Sequence, residues 1–554
     1  MGQPESADSH PEPPFRPEQG TIAATEQQSR PRSKDVLIIL GCTLGQITLI
    51  ASSSIVSALP TIGRDLGIPQ QTLQWPISAY SLTGGCFLLL LGRLADVYGR
   101  KRAFLLGIAW FTVWAIACAV AKTAVQLSLF RAFQGIGVAA ATPAAIGILA
   151  QEFPPGRMRS FAFATFSCGA PMGGSIGILV GGTLTQLASD SWRSMFFVFA
   201  GLAVLAALAV FFAVPTDKLD DTADRRVDWL GAAIVTCSLV MLLFSLAQGE
   251  VASNGWGTPY IIVLLILSVS GLGGFLAWEW YLEYRTTYPP LMRLSLWKRA
   301  NGRFAAVQSI AFVVWIAFSS WIYWATLYYQ SYLGLSPVRS MIRFIPMFVS
   351  GATCNFIVAM LIGRISGSIL LAIGSAATGG ACLLFALIRP SAPFWAFGFP
   401  AATIVVLGAD FTFATGSIFV AKVALPHEQS LAGGIYNTVM QIGAALGLAV
   451  TTVIADRITT NESRKLGFDY DPKSPGYVPP EALLHGYRAA QWACLGFCMF
   501  SLALILVFLR DIGKVGGPHK TVEETEVVGS TAPSTLLGID LEGAVTSPEK
   551  EPPK

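Results

Sequence analysis

Gly92-Arg93-Leu94-Ala95-Asp96-Val97-Tyr98-Gly99-Arg100-Lys101-Arg102 separates two apolar runs, 87–91 and 103–121. The connecting stretch carries two glycines, one carboxylate and four cations. So short a connection sends the second apolar segment back antiparallel to the first. Its Lys/Arg excess marks the cytoplasmic face of a membrane.

Composition extends that reading to the whole chain. Of 554 residues 53% are hydrophobic and 13% charged, where a soluble protein carries about 25% charged residues. Mean hydropathy is +0.57. The expected class is an all-α polytopic membrane protein. A net charge of +4 is too weak at this length to suggest a nucleic-acid partner. The nine cysteines lie in apolar runs, where they behave as small buried hydrophobes, with no disulfide framework or CxxC metal site indicated. Cys494 and Cys498, one helical turn apart with no His or acid beside them, read as helix packing. No phosphate-binding glycine loop, metal-spaced His/Glu cluster or nucleophile elbow occurs, so no cofactor, metal or enzymatic activity is expected.

A helix crosses the roughly 30 Å hydrocarbon core in about 20 residues, which yields about fourteen spans. Six lie near 36–58, 72–92, 103–121, 126–150, 160–187 and 193–214. Two follow near 228–248 and 259–281. The last six are near 304–329, 341–362, 368–388, 394–418, 430–455 and 489–510. The expected organisation is a disordered tail over 1–35, a six-helix bundle over 36–214, two extra helices with linkers over 215–303, a second six-helix bundle over 304–510, and a disordered tail over 511–554. Alternate short loops concentrate cations, including Arg157, Arg159, Lys218, Arg225, Arg226, Arg293, Lys298, Arg299, Arg364 and Lys422. That asymmetry puts both termini in the cytoplasm, with the plasma membrane as the expected location. The loop 456–488 then falls outside and holds the sequon Asn461-Glu462-Ser463, a candidate glycosylation site.

The pattern G-x-L-A-D-x-x-G-R-K in the opening stretch resembles the loop 2–3 signature of the major facilitator superfamily of secondary transporters. Arg131-Ala132-Phe133-Gln134-Gly135-Ile136-Gly137 resembles that family's R-x-x-Q-G-x-G. Trp192-Arg193 resembles the W-R-x-x-F of its fourteen-span drug:proton antiporter branch, and Asp228-Trp229-x-Gly231 the branch's D-W-x-G. Tyr329-Gln330-x-x-Leu333-Gly334-x-Ser336-Pro337 is similar to another branch motif. Gly408-x-Asp410-x-x-Phe413 and 429–438 are similar to fungal multidrug and toxin exporters of the aminotriazole-resistance kind. The resemblance covers nearly all of 36–510 and implies two six-helix bundles plus two extra central helices.

The resemblance also implies roles for these motifs. Gly92, Asp96, Gly99 and Arg100 form a cytoplasmic latch holding one alternating-access state. Asp96 sits there against the amino end of a helix in the other half, or pairs with Arg100. The plainer alternative is that the cations only set topology. Val97 stands where the family usually has a basic residue. Gly169, Gly173, Gly177 and Gly181 recur every fourth residue, leaving one helix face bare for close packing. With Gly182 they resemble an exporter signature, although Ile178 replaces its proline. The first span has Ala51, Ser53 and Val56 before Ala58-Leu59-Pro60, without the aspartate to which related pumps' proton coupling is commonly credited. No histidine lies mid-membrane.

Ionisable residues inside apolar spans are the sharpest functional pointers. A central Asp costs roughly 2.5–3.5 kcal/mol to insert, while each Leu, Ile, Phe or Val returns about 0.3–0.6. Asp410 is expected to carry the coupling proton, with Arg131 shaping its field; a structural salt bridge or a substrate-cation contact is the alternative. Trp315, Phe318, Trp321 and Trp324 recur every third residue and are expected to face a substrate cavity or the lipid. Gln134, Gln308 and Asn437, with Gln46 and Gln441, are candidate polar contacts there or inter-helix hydrogen bonds. The function expected is proton-coupled efflux of small apolar compounds (drugs, toxins or secondary metabolites) by a monomer in the bilayer. Uptake of a small solute, or a non-transporting receptor on the same fold, are the alternatives.

Overall fold

The computed structural model describes residues 31–53, 55–69, 72–153, 157–217, 226–249, 252, 254–361, 364–424, 429–468 and 478–510. The tails expected over 1–35 and 511–554 lie outside them except for 31–35, and so do Lys218 and Arg225. Arg32–Asp35 already belong to the first helix, α1 (Arg32–Ser53). It continues through a 3-10 turn, Ile55–Ala58, into α2 (Leu59–Leu66). Next come α3 (Trp75–Cys86), α4 (Leu88–Tyr98), α5 (Arg100–Ala119), α6 (Ala124–Glu152), α7 (Arg157–Leu187) and α8 (Arg193–Ala213). The central pair is α9 (Trp229–Gln248) and α10 (Pro259–Arg285), followed by the short α11 (Ser295–Lys298). The remainder is α12 (Arg303–Leu327), α13 (Pro337–Ile342), α14 (Ile345–Leu361), α15 (Gly367–Ala386), α16 (Phe394–Val423), α17 (Gln429–Lys465) and α18 (Pro480–Phe508).

Among the described residues twelve segments are long and apolar enough to cross a membrane, or thirteen with α3 and α4 joined as one bent span. The bend is 47°. It follows the Gly84-Gly85 pair, where the helix lacks side-chain support. The span expected at 341–362 corresponds to α14, 17 residues and about 25 Å long, with 362 and 363 outside the described residues.

Two connections differ from expectation. The opening stretch is not a ten-residue loop: α4 runs through Asp96 to Tyr98, α5 starts at Arg100, and Gly99 alone breaks the helix. Leu94 and Ala95, good helix formers, favour that extension. Likewise the loop expected at 456–488 is helical up to Lys465 and again from Pro480, so Asn461 is exposed on a helix.

The packing repeats between halves. In the first six-span set α1 packs on α7 and α8, α5 on α6 and α8, and α3 on α6. In the last set α12 packs on α17 and α18, α15 on α16 and α18, and α14 on α16. Each half thus makes the same pairings between its first and fifth, first and sixth, third and fourth, third and sixth, and second and fourth spans. The halves meet reciprocally as well, α3 against α17 and α14 against α7. The central pair, α9 and α10, packs together, with α9 against α3 and α17 at that seam.

Candidate functional site: the cavity between the halves

Where the seams converge, a cavity of about 240 Å³ is lined from both halves. Leu49, Ile50, Val56 and Tyr80 line it from the first half, Met347, Val406 and Leu448 from the second. Its polar positions include Gln46, Ser81, Asn437, Gln441 and Asp410. Most of the wall is apolar or aromatic, the usual character of a small-molecule site.

From α12 the lining residues are Trp315, Phe318, Ser319, Ile322 and Tyr323. That is spacing 0, 3, 4, 7, 8, one face of an α-helix. Trp321 and Trp324, expected on the same stripe, do not line the cavity. Three residues advance a helix by roughly 300°, so Trp324 points half a turn away from Trp315. Both tryptophans instead pack inside the second half. Trp321 Nε1 donates to Ala381 O (3.2 Å), and Trp324 Nε1 donates to Thr451 Oγ1 (3.0 Å). Gln134 and Gln308 also lie outside the lining, both buried. Asn437 lines it, with Nδ2 donating to Gly433 O (3.0 Å) in its own helix.

Asp410 sits on α16 with its carboxylate toward α14. A Cβ on Gly351 would stand 3.8 Å from Oδ2. Arg131 lies in the first half, fully buried behind Tyr80, with its guanidinium carbon 3.9 Å from that ring's centroid. Its Nε donates to Pro76 O (2.9 Å), and Nη1 to Ser52 Oγ (3.1 Å) and Gln134 Oε1 (2.6 Å). Gln134 Nε2 donates to the same Ser52 hydroxyl (3.3 Å). Arg131 and Gln134 thus form one network stacked on a cavity-lining tyrosine, while Asp410 belongs to the opposite wall.

The glycine face of α7 packs on α1 and on the 3-10 turn Ile55–Ala58. A Cβ on Gly173 would stand 2.6 Å from Ile47 O, one on Gly181 2.5 Å from Ser57 Oγ, and one on Gly169 3.3 Å from Thr43 O. Gly177 is buried in the same helix. Gly182 faces across the seam, where its Cβ would meet Met341 Cβ at 2.9 Å. The repeat holds a counterpart that sequence reading missed. Gly443 and Gly447 of α17 would place Cβ atoms 2.6 and 2.7 Å from Phe312 O and Ile316 O of α12.

In the opening stretch Asp96 pairs with Arg100 (3.0 Å), and the helix that carries it, α4, packs on α17 of the other half. Arg100 Nη1 also donates to Gly147 O in α6 (2.9 Å). Gly99 has φ +110°, a conformation L side chains rarely adopt, and its Cα abuts the Asp217 carboxylate. Asp217 accepts from Lys101 N (3.0 Å) and Arg102 N (3.1 Å), so it caps α5 from the end of α8. Gly92 is under no such constraint: its Cβ would lie 3.5 Å from Pro143, an ordinary contact.

The remaining motifs are structural pins. Asp65 accepts from Trp192 Nε1 (3.0 Å) and pairs with Arg193 (2.7 Å). Asp228 caps α9 through Gly231 N (2.9 Å) and accepts from Trp278 Nε1 (3.0 Å). Gln330 Nε2 donates to Ser57 O (2.6 Å), Gln186 Oε1 accepts from Val338 N (3.1 Å), and Thr452 Oγ1 donates to Gln74 Oε1 (3.1 Å). These three bonds close the seam between halves at one end of the cavity. Asp65, Asp217 and Gln186 carried no motif of their own, and only their distant partners identify them.

The sequence profile of the Major Facilitator Superfamily matches residues 42–448. The chain belongs to this superfamily. Among curated members it is 27% identical over 512 residues to MFS-type transporter 1 of Pyricularia oryzae, covering 85% of this chain and 82% of that one. It is 28% identical over 489 residues to efflux pump terJ of Aspergillus terreus, covering 85% and 87%. It is 28% identical over 453 residues to the low affinity ammonium transporter of Saccharomyces cerevisiae, covering 79% and 85%. In fold it resembles a bacterial homologue of the lysosomal transporter Spinster, in an inward-facing, unoccupied conformation (TM-score 0.58, 17% identity, 86% of this chain and 96% of that one). The POT family transporter PepTSo is similar too (TM-score 0.59, 14% identity, 87% and 97%). The chain is a multi-span secondary transporter for small molecules, not an enzyme.

Proposed function

We propose that this transporter belongs to the fourteen-span branch and exports small, mainly apolar compounds in exchange for protons, by alternating access of the cavity between its halves. The observation that carries the reading is Asp410 on the wall of a cavity otherwise rich in Trp315, Phe318, Tyr80 and aliphatic side chains. Exchange requires proton and cargo to occupy the cavity alternately: cargo moves outward while Asp410 is ionised, and protonation of Asp410 from the outside accompanies release and the inward return. Relatives named as efflux pumps support the outward direction. By the positive-inside rule both termini are cytoplasmic, and the end closed by Gln330, Gln186 and Thr452 faces outward. The protein acts as a monomer in the plasma membrane, with Asn461 exposed on the outer side for glycosylation.

The test is exchange in proteoliposomes under an imposed pH gradient, using a compound the intact protein moves. Asp410→Asn is expected to abolish gradient-driven exchange, and Asp410→Glu to retain exchange. Unaltered proton coupling in Asp410→Asn ends the proposal. A second reading, uptake of a small solute with Asp410 contacting a cation, draws on the relative named as an ammonium transporter. Cellular accumulation separates the two: it falls with export and rises with uptake.

A further inference from the structure

Outside the central cavity, a groove of about 980 Å³ lies between α14 and α16 on the outer surface of the second half. Ile345, Val349 and Ile357 form one wall, Trp395 and Phe399 the other. Val349 is 63% exposed and Trp395 70%, in segments that a water-soluble protein would cover. Polar groups in the floor are spent internally, as Ser350 Oγ donates to Thr403 O (2.7 Å). From Ile345 to Ile357 the groove runs about 18 Å at helical rise, close to the depth of one leaflet of a roughly 30 Å hydrocarbon core.

The mouth has the opposite character. Arg339 and Arg343 line it at the start of α14, where the span meets the membrane boundary. Arg343 is held over two rings, its guanidinium carbon 5.0 Å from the Phe394 centroid and 5.3 Å from that of Tyr329. Among the described residues no carboxylate forms an ion pair with either arginine. Two unneutralised guanidinium groups thus stand at the interface end of an apolar slot one leaflet deep. Guanidinium forks suit phosphate oxygens, and the slot suits an acyl chain.

We infer that this groove is a binding site for one glycerophospholipid of the outer leaflet, its acyl chain between α14 and α16 and its phosphate at Arg339 and Arg343. The site is independent of what the central cavity carries and of its coupling. It does reach the back of that cavity: Ser350 and Leu407 of the groove adjoin Gly351 and Val406 of the cavity wall along the chain. The bound chain therefore lies one side-chain layer from the cavity wall.

The full chain in mild detergent, offered equal phosphatidylcholine and diacylglycerol with matched acyl chains, tests this by native mass spectrometry of retained lipid. The intact protein is expected to keep phosphatidylcholine in preference. Arg339→Ala with Arg343→Ala should weaken that preference roughly tenfold or more, since each guanidinium–phosphate bond contributes a several-fold factor. Arg339→Lys with Arg343→Lys should restore most of it, which separates lost charge from lost fold. Val349→Trp fills the slot and should remove one retained lipid of either kind. Equal retention of the two lipids by the intact protein, a preference unchanged in the alanine pair, or no recovery in the lysine pair overturns the inference.

Discussion

Arg131 and Asp410 show how differently two membrane-embedded charges are used. The Arg131 guanidinium is spread over Pro76 O, Ser52, Gln134 and the face of Tyr80, so its role is bound to the shape of the first half. A lysine keeps the charge but not the fork. Arg131→Lys should therefore leave Pro76 O or Gln134 Oε1 unpaired and lower stability by about 1–3 kcal/mol, seen as a lower midpoint of thermal unfolding in detergent. A midpoint matching the intact protein would show that the network is not a structural one. Asp410→Asn, by contrast, should leave that midpoint nearly unchanged and act on coupling alone. The cost of burying ions in apolar spans made both residues visible in the sequence. Their surroundings were not visible, because the approaches to Pro76 and Gly351 join segments distant in the chain.

At the scale of elements, the glycines of loop 92–102 and of α7 divide by what surrounds them. Gly99 has positive φ and the Asp217 carboxylate against its Cα, whereas a Cβ on Gly92 would meet Pro143 at 3.5 Å. Gly92→Ala should thus be tolerated and Gly99→Ala should lose folded protein, as read by fluorescence-detected size exclusion. Equal behaviour of the two would contradict this account of the hairpin. Gly173→Leu and Gly443→Leu should each fail similarly, since both drive a side chain into a facing carbonyl. The four-residue glycine period on α7 was legible because it is local. The aromatic stripe misled because a period of three drifts around the helix, and the true lining of α12 follows the three-four alternation through Ser319 and Tyr323. The extent of α4 and α17 was hidden as well, since charged residues past the bilayer edge remain good helix formers.

For the whole molecule, the repeated helix pairing and reciprocal seams place a cavity where two similar halves meet, closed at one end by Gln330–Ser57, Val338–Gln186 and Thr452–Gln74. Alternating access requires that this end open. Gln186→Cys with Val338→Cys, joined by a short bifunctional thiol reagent, should stop transport, and a reducible linker should restore it on cleavage. Transport that survived the cross-link would mean that the seam stays shut during the cycle. The two-half plan was readable from the spans and motifs. The pairing across the seam was not, because it sets residues such as Ser57 and Gln330 together from opposite ends of the chain.

The central claim, proton-driven export, is tested most directly by intracellular accumulation of a panel of toxic, mainly apolar compounds in cells with and without the protein, at two external pH values. The account predicts lower accumulation of at least one compound in cells carrying the protein, with the difference larger at the more acidic external pH and lost in Asp410→Asn. Higher accumulation, or a reduction indifferent to the proton gradient, would contradict it.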